Sequence, residues 1–379
     1  MKKLLAVLLS VLLAFSVTTL AFAEDELTPA EAAHLTFDEN GNFRILNFAD
    51  IQDDGLLSTA CAAFMRKSIK LHKPDLIVLT GDNISGQPLT LLSKSAMAQV
   101  MSVLEPFGIP VAVVFGNHDD QDNAPDKESL MALINSYSVS ISYDEGDSIY
   151  GCGTYNVPIY RSADSDEVGF NLWMVDSNTY DEERGGYDYV HQDQIDWYIN
   201  KSNELKEANG GELVPSIAFQ HIIVPEIYDA LKTVEPGTEG AVERGGNYYV
   251  LPDFAFEGSI LGESPCPGTF NGGEFTAMKE QGDVVAMVTG HDHVNSFIVP
   301  WEGIDLINTP TCGFHSYGNR ATRGARVIDI SSDGTYSTFV FTYDELFAGN
   351  PVMLIAPWFK DFIEKIDDFF DMIKDAIGL

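Results

Sequence analysis

Five short polar clusters each follow a run of apolar and β-branched residues, and their side chains are types that bind metal ions. The clusters are Asp50, Gly81-Asp82-Asn83, Gly116-Asn117-His118-Asp119, His221 and Gly290-His291-Asp292-His293. Carboxylate, amide and imidazole groups are the ligands of divalent and trivalent metals where no thiolate takes part. Each cluster lies where a buried strand would end, which is where open α/β sheets build their sites. Five such clusters in this order predict a metallohydrolase.

The residue types also predict how two metal ions would be shared. A pair of ions about 3.5–4 Å apart clamps the attacking and leaving oxygens of an in-line displacement at phosphorus, and one carboxylate must bridge both ions. Asp82 is the natural bridge, because it stands alone between a glycine and an amide. Asp50 and one imidazole of the GHDH run would complete one metal site. Asn117, His221 and the other imidazole would complete the second.

One histidine of these clusters, His118, is left without a ligand role, and Asp119 follows it. A spare imidazole beside an orienting carboxylate is typical of a general acid that protonates a departing alkoxide. Some residues of the clusters also have a purely structural interpretation. A lone His221 is more often a satisfied strand-end histidine, and only its place in the series favours the ligand role. Asn83 keeps both a turn role and a functional role, and Asp292 is predicted to be structural.

This order of motifs resembles that of the calcineurin-like metallophosphoesterase family, over roughly residues 43–330. The segments KPDLIVLTGDNISG, TAMKEQGDVVAMVTGHDHVN and GFHSYGNRATRGARVIDI look most like its purple-acid-phosphatase-related branch. The resemblance implies an α/β fold in which two mixed β-sheets pack as a sandwich flanked by helices. It implies that the first metal is held by Asp50, Asp82 and His293, and the second by Asp82, Asn117, His221 and His291. It also implies His118 as the acid and Asp119 as its partner.

Two positions depart from the family pattern. The family usually has histidine two residues after the first aspartate, and this chain has Gln52. A glutamine carbonyl can ligate a metal, but it is a neutral and weaker donor than imidazole. The tyrosine that colours purple acid phosphatases is replaced by Ser85. We therefore expect a first metal site of reduced affinity and a colourless protein.

The expected function is hydrolysis of phosphate esters by attack of a metal-bound hydroxide, with two ions of Fe, Mn or Zn per chain. The branch resemblance favours phosphomonoesters as small-molecule substrates. A nucleotidase or a cyclic-nucleotide phosphodiesterase is an open alternative on the same site. An alternative of another class is an exported binding or surface protein with a weakened metal site, which Gln52 and the amphipathic segment 351–379 motivate.

Substrate contacts are predicted near the metals from a glycine-rich run and the arginines after it. His315 lies in the run CGFHSYG and is either a substrate contact or a support for the ligands. Arg320 and Arg323 follow it and are candidates to hold a phosphate, together with Asn117. Arg326 belongs to the same cluster but begins a strand pattern.

The composition and the amino terminus of the chain indicate its binding partners and its location. The chain has 22 Lys and Arg against 57 Asp and Glu, a formal net charge of -35. Such a field repels nucleic acid and anionic lipid at long range, so we predict no nucleic-acid partner. Residues 1–23 have two lysines, an apolar run and the ending Ala21-Phe22-Ala23, which predict a cleaved signal peptide. We therefore expect a secreted protein without an integral membrane span.

Strand and helix patterns organise the chain into one catalytic domain, residues 43–345, after an irregular lead-in at 24–42. The first half alternates strands at 43–49, 75–80 and 111–115 with helices near 56–72, 91–105 and 126–137. This alternation predicts right-handed βαβ units and parallel strands. The later part is richer in strands, which are predicted at 154–160, 168–176, 214–220, 283–289, 295–299, 304–308, 325–330 and 335–343, with a helix near 191–206.

Three further features of the sequence concern a long loop, the carboxyl terminus and the cysteines. Residues 232–275 are rich in Gly, Pro and Glu with scattered aromatic residues, and are predicted to be a lid loop over the metals. Residues 351–379 carry apolar residues at helical spacing with an acidic opposite face, and predict an amphipathic helix that packs on the domain or on another chain. The cysteines Cys61, Cys152, Cys266 and Cys312 permit three full pairings, none of which is needed in a chain of this size.

Overall fold

Strands and helices alternate in the first part of the chain, as the sequence pattern predicts. The computed structural model describes residues 27–53, 55–86, 90–121, 124–146, 148–350 and 353–354. The strands are β1 (Leu35–Thr36), β2 (Asn42–Phe48), β3 (Leu76–Thr80), β4 (Val111–Val114), β5 (Tyr155–Tyr160), β6 (Val168–Met174), β7 (Ser216–Phe219), β8 (Lys232–Val234), β9 (Val242–Arg244), β10 (Asn247–Val250), β11 (Val284–Thr289), β12 (Ile298–Trp301), β13 (Ile304–Asn308), β14 (Gly324–Ser331) and β15 (Tyr336–Thr342). The helices are α1 (Pro29–Ala33), α2 (Thr59–His72), α3 (Thr90–Leu104), α4 (Lys127–Ile134), α5 (Gln192–Ala208), α6 (Ile227–Ala230), α7 (Glu274–Gln281) and α8 (Tyr343–Leu346).

Two large mixed sheets form the body of the protein. One has five strands in the order β15-β14-β2-β3-β4, and the other has seven in the order β1-β5-β6-β7-β11-β13-β12. The neighbours β2, β3 and β4 run parallel, as do β6, β7, β11 and β13. The strands at the other edges are mostly antiparallel, so both sheets are mixed, as predicted.

The sheets pack face to face because their strands alternate side chains between two buried faces. Ile45 and Val78 point into the layer between the sheets, where they meet Leu172 and Ile217 of the larger sheet. The neighbouring residues on the outer face of the five-stranded sheet pack against α2, α3 and α4. The outer face of the seven-stranded sheet is covered by α5 and α7. The predicted four-layer α/β architecture is confirmed.

This topology brings the polar clusters to one edge of the sandwich. The clusters at Asp50, Asp82 and Asn117 follow the carboxyl ends of β2, β3 and β4, which are parallel neighbours. His221 and His291 follow the carboxyl ends of β7 and β11, which are parallel neighbours in the other sheet. The two sheets therefore contribute opposite walls of one site.

The prediction that residues 24–42 form an irregular lead-in is wrong for the described part, residues 27–42. Within it, α1 begins at Pro29 after a capping box in which Thr28 and Glu31 bond each other's backbone N–H groups. Next, β1 pairs in parallel with β5 and extends the larger sheet. Thr28, Pro29 and Glu31 are the signal for a helix start, and the acidic composition around them obscured it.

The predicted loop at 232–275 contains a small antiparallel sheet, in the order β8-β10-β9. Its tight hairpin pairs Arg244 with Asn247 across Gly245 and Gly246, whose φ angles are 58° and 84°. Two residues with positive φ define the turn type that two-residue hairpins prefer, so the Gly-Gly pair was the readable signal. The lid role of this segment stays a prediction.

Both terminal predictions lie outside the described residues, the signal peptide at 1–23 entirely and the helix at 351–379 except for Met353 and Leu354. These two side chains pack against the apolar cluster between the five-stranded sheet and helices α2, α3 and α4. Within the part of the chain that the structure describes, none of the helices combines the length and the hydropathy of a membrane span. The four cysteines, all within the described residues, are free thiols.

Candidate metal centre

The ends of the strands hold the predicted ligands in strained backbone conformations. Asp50, Asp82 and His291 have φ angles of 52°, 48° and 71°, in the left-handed region that non-glycine residues seldom occupy. Such strain is found at sites where the surrounding structure fixes a side chain for function. Close packing contributes, because a Cβ at Gly116 would lie 2.3 Å from Oδ1 of Asp82. A glycine is therefore required beside the central carboxylate.

Two groups of metal-ligating side chains share one carboxylate. Asp82, His221 and His291 form one group, and their ligating atoms lie within 4.8 Å of one another. Asp50, Asp82 and His293 form the second group on the same criterion. All of these side chains are buried. The structure thus brings five of these side chains together in sets that match those the family resemblance implies, apart from Asn117, with Asp82 in both, and metal binding by them stays a prediction.

Backbone carbonyls orient two of the imidazoles. Nδ1 of His221 lies 3.0 Å from the carbonyl of Thr80, and Nδ1 of His293 lies 2.8 Å from the carbonyl of Tyr317. A carbonyl only accepts, so each Nδ1 carries the proton and donates it. Each Nε2 faces the carboxylates, where it would present its lone pair to a bound cation, which is how metal-bound histidines are held.

The atoms that would contact the ions are short of partners. Nε2 of His221 lies 3.1 Å from Oδ2 of Asp82 without a well-directed hydrogen bond, and Nε2 of His293 lies 3.5 Å from Oδ1 of Asp50. Oδ1 of Asn117 is buried and has no hydrogen-bond partner, while its Nδ2 lies 3.4 Å from the Tyr180 hydroxyl. Buried acceptors without donors are costly, and cations would satisfy them. The donor set therefore fits two metal ions.

The pKa shifts indicate the same need for positive charge. Burial, opposed by His221 and reinforced by Asp82, raises the pKa of Asp50 well above its ordinary value. Burial would lower the pKa of His221, but Asp82 overcomes it and raises that pKa to about 10. Burial lowers the pKa of His291 well below its ordinary value and that of His293 to about 4. The last two imidazoles are neutral, the form that metals bind.

His118 is held by a residue that the sequence interpretation missed. Its Nε2 lies 4.0 Å from Oδ2 of Asp82, at the edge of the metal groups, and its Nδ1 makes a short hydrogen bond to Oε1 of Gln121. An amide oxygen accepts, so Nδ1 donates to it and Nε2 faces the site. The spacing from His118 to Gln121 offered no recognised motif.

The predicted partnership of Asp119 with His118 is wrong. The Asp119 carboxylate accepts the backbone N–H groups of Asn83, Ile84 and Gly116 at 2.8–3.0 Å, and also Nδ2 of Asn83. These four donors occupy its oxygens, so the carboxylate joins the loops after β3 and β4. Asn83 has a structural role for the same reason.

Gln121→Ala is expected to lower kcat for an unactivated phosphate ester about tenfold, equivalent to roughly 1.4 kcal/mol of lost positioning. Metal content and melting temperature should not change, and Gln121→Glu should retain the rate because it keeps an acceptor. Asp119→Ala should instead lower the melting temperature, because each donor left unpaired costs about 1–3 kcal/mol. Steady-state kinetics and thermal unfolding of the variants check this, and equal rates for wild type and Gln121→Ala would contradict it.

Gln52 lies at the metal groups as a hydrogen-bond donor. Its Nε2 lies 3.1 Å from Oδ2 of Asp82, and the side chain is buried. Its backbone has a φ of 41°, like the ligand-bearing residues around it. The residue therefore occupies the predicted ligand position, but an N–H group faces the shared carboxylate. Ser85 lies beside it and donates to its carbonyl at 3.3 Å.

The other predicted substrate residues lie outside the cavity at the metal groups. Nδ1 of His315 is 3.0 Å from Asp53, which places it as a support for the loop after β2. Arg320 pairs with Asp344 at 2.5 Å and is half exposed. Arg323 is buried with its guanidinium 4.8 Å above the ring of Phe314. Substrate contact by these residues stays a prediction for which the cavity lining gives no support.

Aromatic residues that the sequence interpretation missed form much of the cavity wall. The cavity has a volume of about 290 Å³ and is lined by Gln52, Asp82, Ser85, His118, Tyr187, Cys266, His291, Asp292, His293 and Tyr317. The ring of Tyr317 stacks on His293 at 4.1 Å, and that of Tyr187 meets His291 edge-on at 4.4 Å. These tyrosines lie in long loops far from the ligands in sequence, so no spacing rule identifies them. Asp292 accepts from the backbone N–H of Cys266 at 3.1 Å, in line with its predicted structural role.

Comparison with known proteins finds several similar chains. The chain is 28% identical over 337 residues to probable inactive purple acid phosphatase 29 of Arabidopsis thaliana, covering 79% of this chain and 80% of that protein. It is 27% identical over 294 residues to phosphatase DCR2 of Saccharomyces cerevisiae, covering 70% of this chain and 46% of that protein. A dimetal phosphatase from Danio rerio aligns with 79% of this chain and 99% of its own at 14% identity, with a TM-score of 0.48.

The family profile described as calcineurin-like phosphoesterase matches residues 43–295, which is more than half of the chain. This span begins in β2 and ends just past His293, so it contains every predicted metal ligand. The chain belongs to the calcineurin-like phosphoesterase family.

Proposed function

We propose that this protein is a metal-dependent phosphoesterase that hydrolyses small phosphate esters, with monoesters preferred. The observation that carries the proposal is the sharing of Asp82 between two ligand groups, with Nε2 of His118 at 4.0 Å from the same carboxylate. This is the arrangement that a two-metal displacement at phosphorus requires: one bridging carboxylate, ligands on both sides and a proton donor at the rim.

Each residue has a distinct task in this account. Two bound ions would neutralise charge on the phosphoryl group and lower the pKa of a bound water. Asp82 would hold the two ions as a pair, and the carbonyls of Thr80 and Tyr317 keep His221 and His293 turned toward that position. His118 delivers the proton on Nε2 to the leaving oxygen, while Gln121 holds its Nδ1–H. Asn117 contributes Oδ1.

The cavity and the charge of the chain favour small substrates. A volume of about 290 Å³ admits a phosphoryl group with a compact leaving group. The net charge of -35 repels polyanions, and no lysine or arginine is among the described residues that line the cavity. Positive charge for phosphate binding would therefore come from the metals. The preference for monoesters rests on the resemblance to the purple-acid-phosphatase-related branch.

A binding or surface protein without efficient turnover is the second candidate. The relative from Arabidopsis thaliana described above is named probable inactive, and this chain has Gln52 where the family usually has histidine. Against it, five of the other predicted ligands are buried and form two groups that share Asp82. Activity measurement decides between the two.

Gln52→His is expected to raise both the metal content and the turnover of the purified protein. An imidazole replaces a neutral amide whose N–H faces Asp82 at 3.1 Å. We expect metal affinity at this site to rise about 10–100-fold, the range that changes in a metal environment typically produce. Metal titration of the wild type and the variant checks this. Gln52→Ala is the control, because it removes the amide without adding an imidazole. Unchanged affinity in Gln52→His would show that Gln52 does not limit the site.

Hydrolysis of a panel of esters tests the proposed function. The panel contains an alkyl monoester, an aryl monoester, an aryl diester, a 5′-nucleotide and a cyclic nucleotide, each assayed with Mn, Zn or Fe added. Faster turnover of simple monoesters supports the proposal. A preference for the 5′-nucleotide or the cyclic nucleotide would identify the alternatives of the same site, and no turnover of any ester would favour the binding protein.

We also propose that the protein is exported, because residues 1–23 have the pattern of a cleaved signal peptide. Mass spectrometry of the protein from its native culture is expected to find a mature amino terminus at Glu24. Recovery of the full chain with Met1 inside the cell would contradict export.

A further inference from the structure

A second, smaller cavity lies next to the strand that carries His221 and is separate from the metal centre. It has room for about one water-sized sphere, with a volume of about 20 Å³. Its lining comes from the segment between β7 and α6, from the start of α7 with the loop before it, and from the loop between β6 and α5. None of the predicted metal ligands lines it.

Three buried oxygen atoms of residues that line this cavity have no hydrogen-bond partner. They are Oε1 of Gln220, Oε2 of Glu226 and Oε1 of Glu274. Gln220 is 1% exposed and Glu274 is 7% exposed, so water outside the protein does not reach these groups freely. Three unpaired oxygens on residues that line one cavity are unusual, because buried polar atoms are nearly always bonded.

Neighbouring contacts fix which atoms remain unpaired. Nε2 of Gln220 donates to the carbonyl of Ile222 at 2.8 Å and to Oε2 of Glu274 at 3.2 Å. Rotating the amide by 180° would place its oxygen against two acceptors, so the orientation of Oε1 is determined. Glu226 uses its Oε1 to accept from Asn271 at 2.7 Å. The three remaining oxygens all require a donor or a cation.

The ionisable side chains that line the cavity include three carboxyl groups. Asp188, Glu226 and Glu274 line it, and no lysine, arginine or histidine is among the described residues that do. Burial raises the pKa of Glu274 to about 8, with Glu226 adding to the effect. A single water can donate to two acceptors only, whereas a cation would hold Glu274 in its ionised form and satisfy all three oxygens.

We propose that this cavity binds a hard cation, Ca²⁺, through the side-chain oxygens of Gln220, Glu226 and Glu274. Carboxylate and amide oxygens without nitrogen or sulfur ligands are the set that Ca²⁺ takes in proteins. This site goes beyond the proposed phosphoesterase function and would be structural. It joins the residue before His221 to α6 and α7, and so holds the carboxyl end of β7.

Thermal unfolding of the full protein with increasing Ca²⁺ tests this site, in the presence of saturating Mn²⁺ so that the metal centre is filled. At free Ca²⁺ of about 100 times the Kd, the folding equilibrium should shift about a hundredfold toward the native state. We expect the Kd to be on the order of 10⁻⁴–10⁻³ M, as for extracellular calcium modules. Glu274→Gln and Glu226→Gln should both lose the Ca²⁺-dependent rise in melting temperature.

Two controls separate this site from general effects of charge and from the metal centre. Glu280→Gln neutralises an exposed carboxylate on the same helix and should keep the rise, as should Asp82→Asn. Tb³⁺ emission sensitised by Tyr189, which lines the cavity, should fall in Glu274→Gln and persist in Glu280→Gln. The proposal is overturned if Ca²⁺ has no effect on the wild type, or if Glu274→Gln responds to Ca²⁺ as the wild type does. In that case a proton on Glu274 is the occupant.

Discussion

Asp82→Asn is expected to abolish turnover and to remove both metal ions. Asp82 belongs to both ligand groups, and its Oδ1 also accepts the backbone N–H of His118 at 2.8 Å. Loss of a single supporting contact at a metal site costs about 10–100-fold, so loss of a ligand shared by two ions should exceed about 10³-fold. Metal content by elemental analysis and kcat for an alkyl monoester measure the two effects.

Asp292→Asn is the matched control for this variant. Asp292 is buried in the same cavity and lies between two predicted ligands in sequence, yet it bonds the backbone of Cys266 and belongs to neither group. An asparagine oxygen can still accept that N–H, so both ions and most of the activity should be retained. Equal metal loss in Asp82→Asn and Asp292→Asn would remove the bridging role from Asp82.

His118→Ala should lower turnover of an unactivated ester by about 10²–10⁴-fold, the usual contribution of a general acid. The effect on an aryl ester with a good leaving group should be much smaller, because that leaving group departs without a proton. Metal content should not change, since His118 is in neither ligand group. Parallel assays of alkyl and aryl monoesters test the assignment.

His191→Ala provides the comparison for His118→Ala. Its ring stacks between Tyr150 at 3.8 Å and Tyr189 at 4.4 Å, and it does not line the metal cavity. Its removal should leave the ratio of alkyl to aryl turnover unchanged. If His118→Ala lowers both esters equally, His118 supports the site structurally and another group supplies the proton.

The sequence predicts well which strand ends meet at the site and which types of ligand they carry. Parallel strands bring their carboxyl ends together, so Asp50 and Asp82 had to meet once β2 and β3 were recognised. The same rule joins His221 to His291 through β7 and β11. Residue type then limits the chemistry, because carboxylates and imidazoles at one edge have few other uses.

The parts that the sequence interpretation missed depend on loop conformation. Gln121 bonds His118 and Asp119 bonds three backbone N–H groups, and both outcomes follow from how the loop after β4 turns. Arg320 was predicted near phosphate from its neighbours in sequence, but the segment before β14 directs it to Asp344. Loops carry no periodic signal, so proximity in sequence did not predict their contacts.

Metal analysis of the purified protein, together with hydrolysis before and after chelation, is the decisive test of the two-metal phosphoesterase. We expect close to two metal ions per chain, loss of phosphoester hydrolysis on chelation, and its return when metal is added back. One ion or none, with no hydrolysis after addition of Mn, Zn or Fe, would contradict the two-metal phosphoesterase and favour the binding protein.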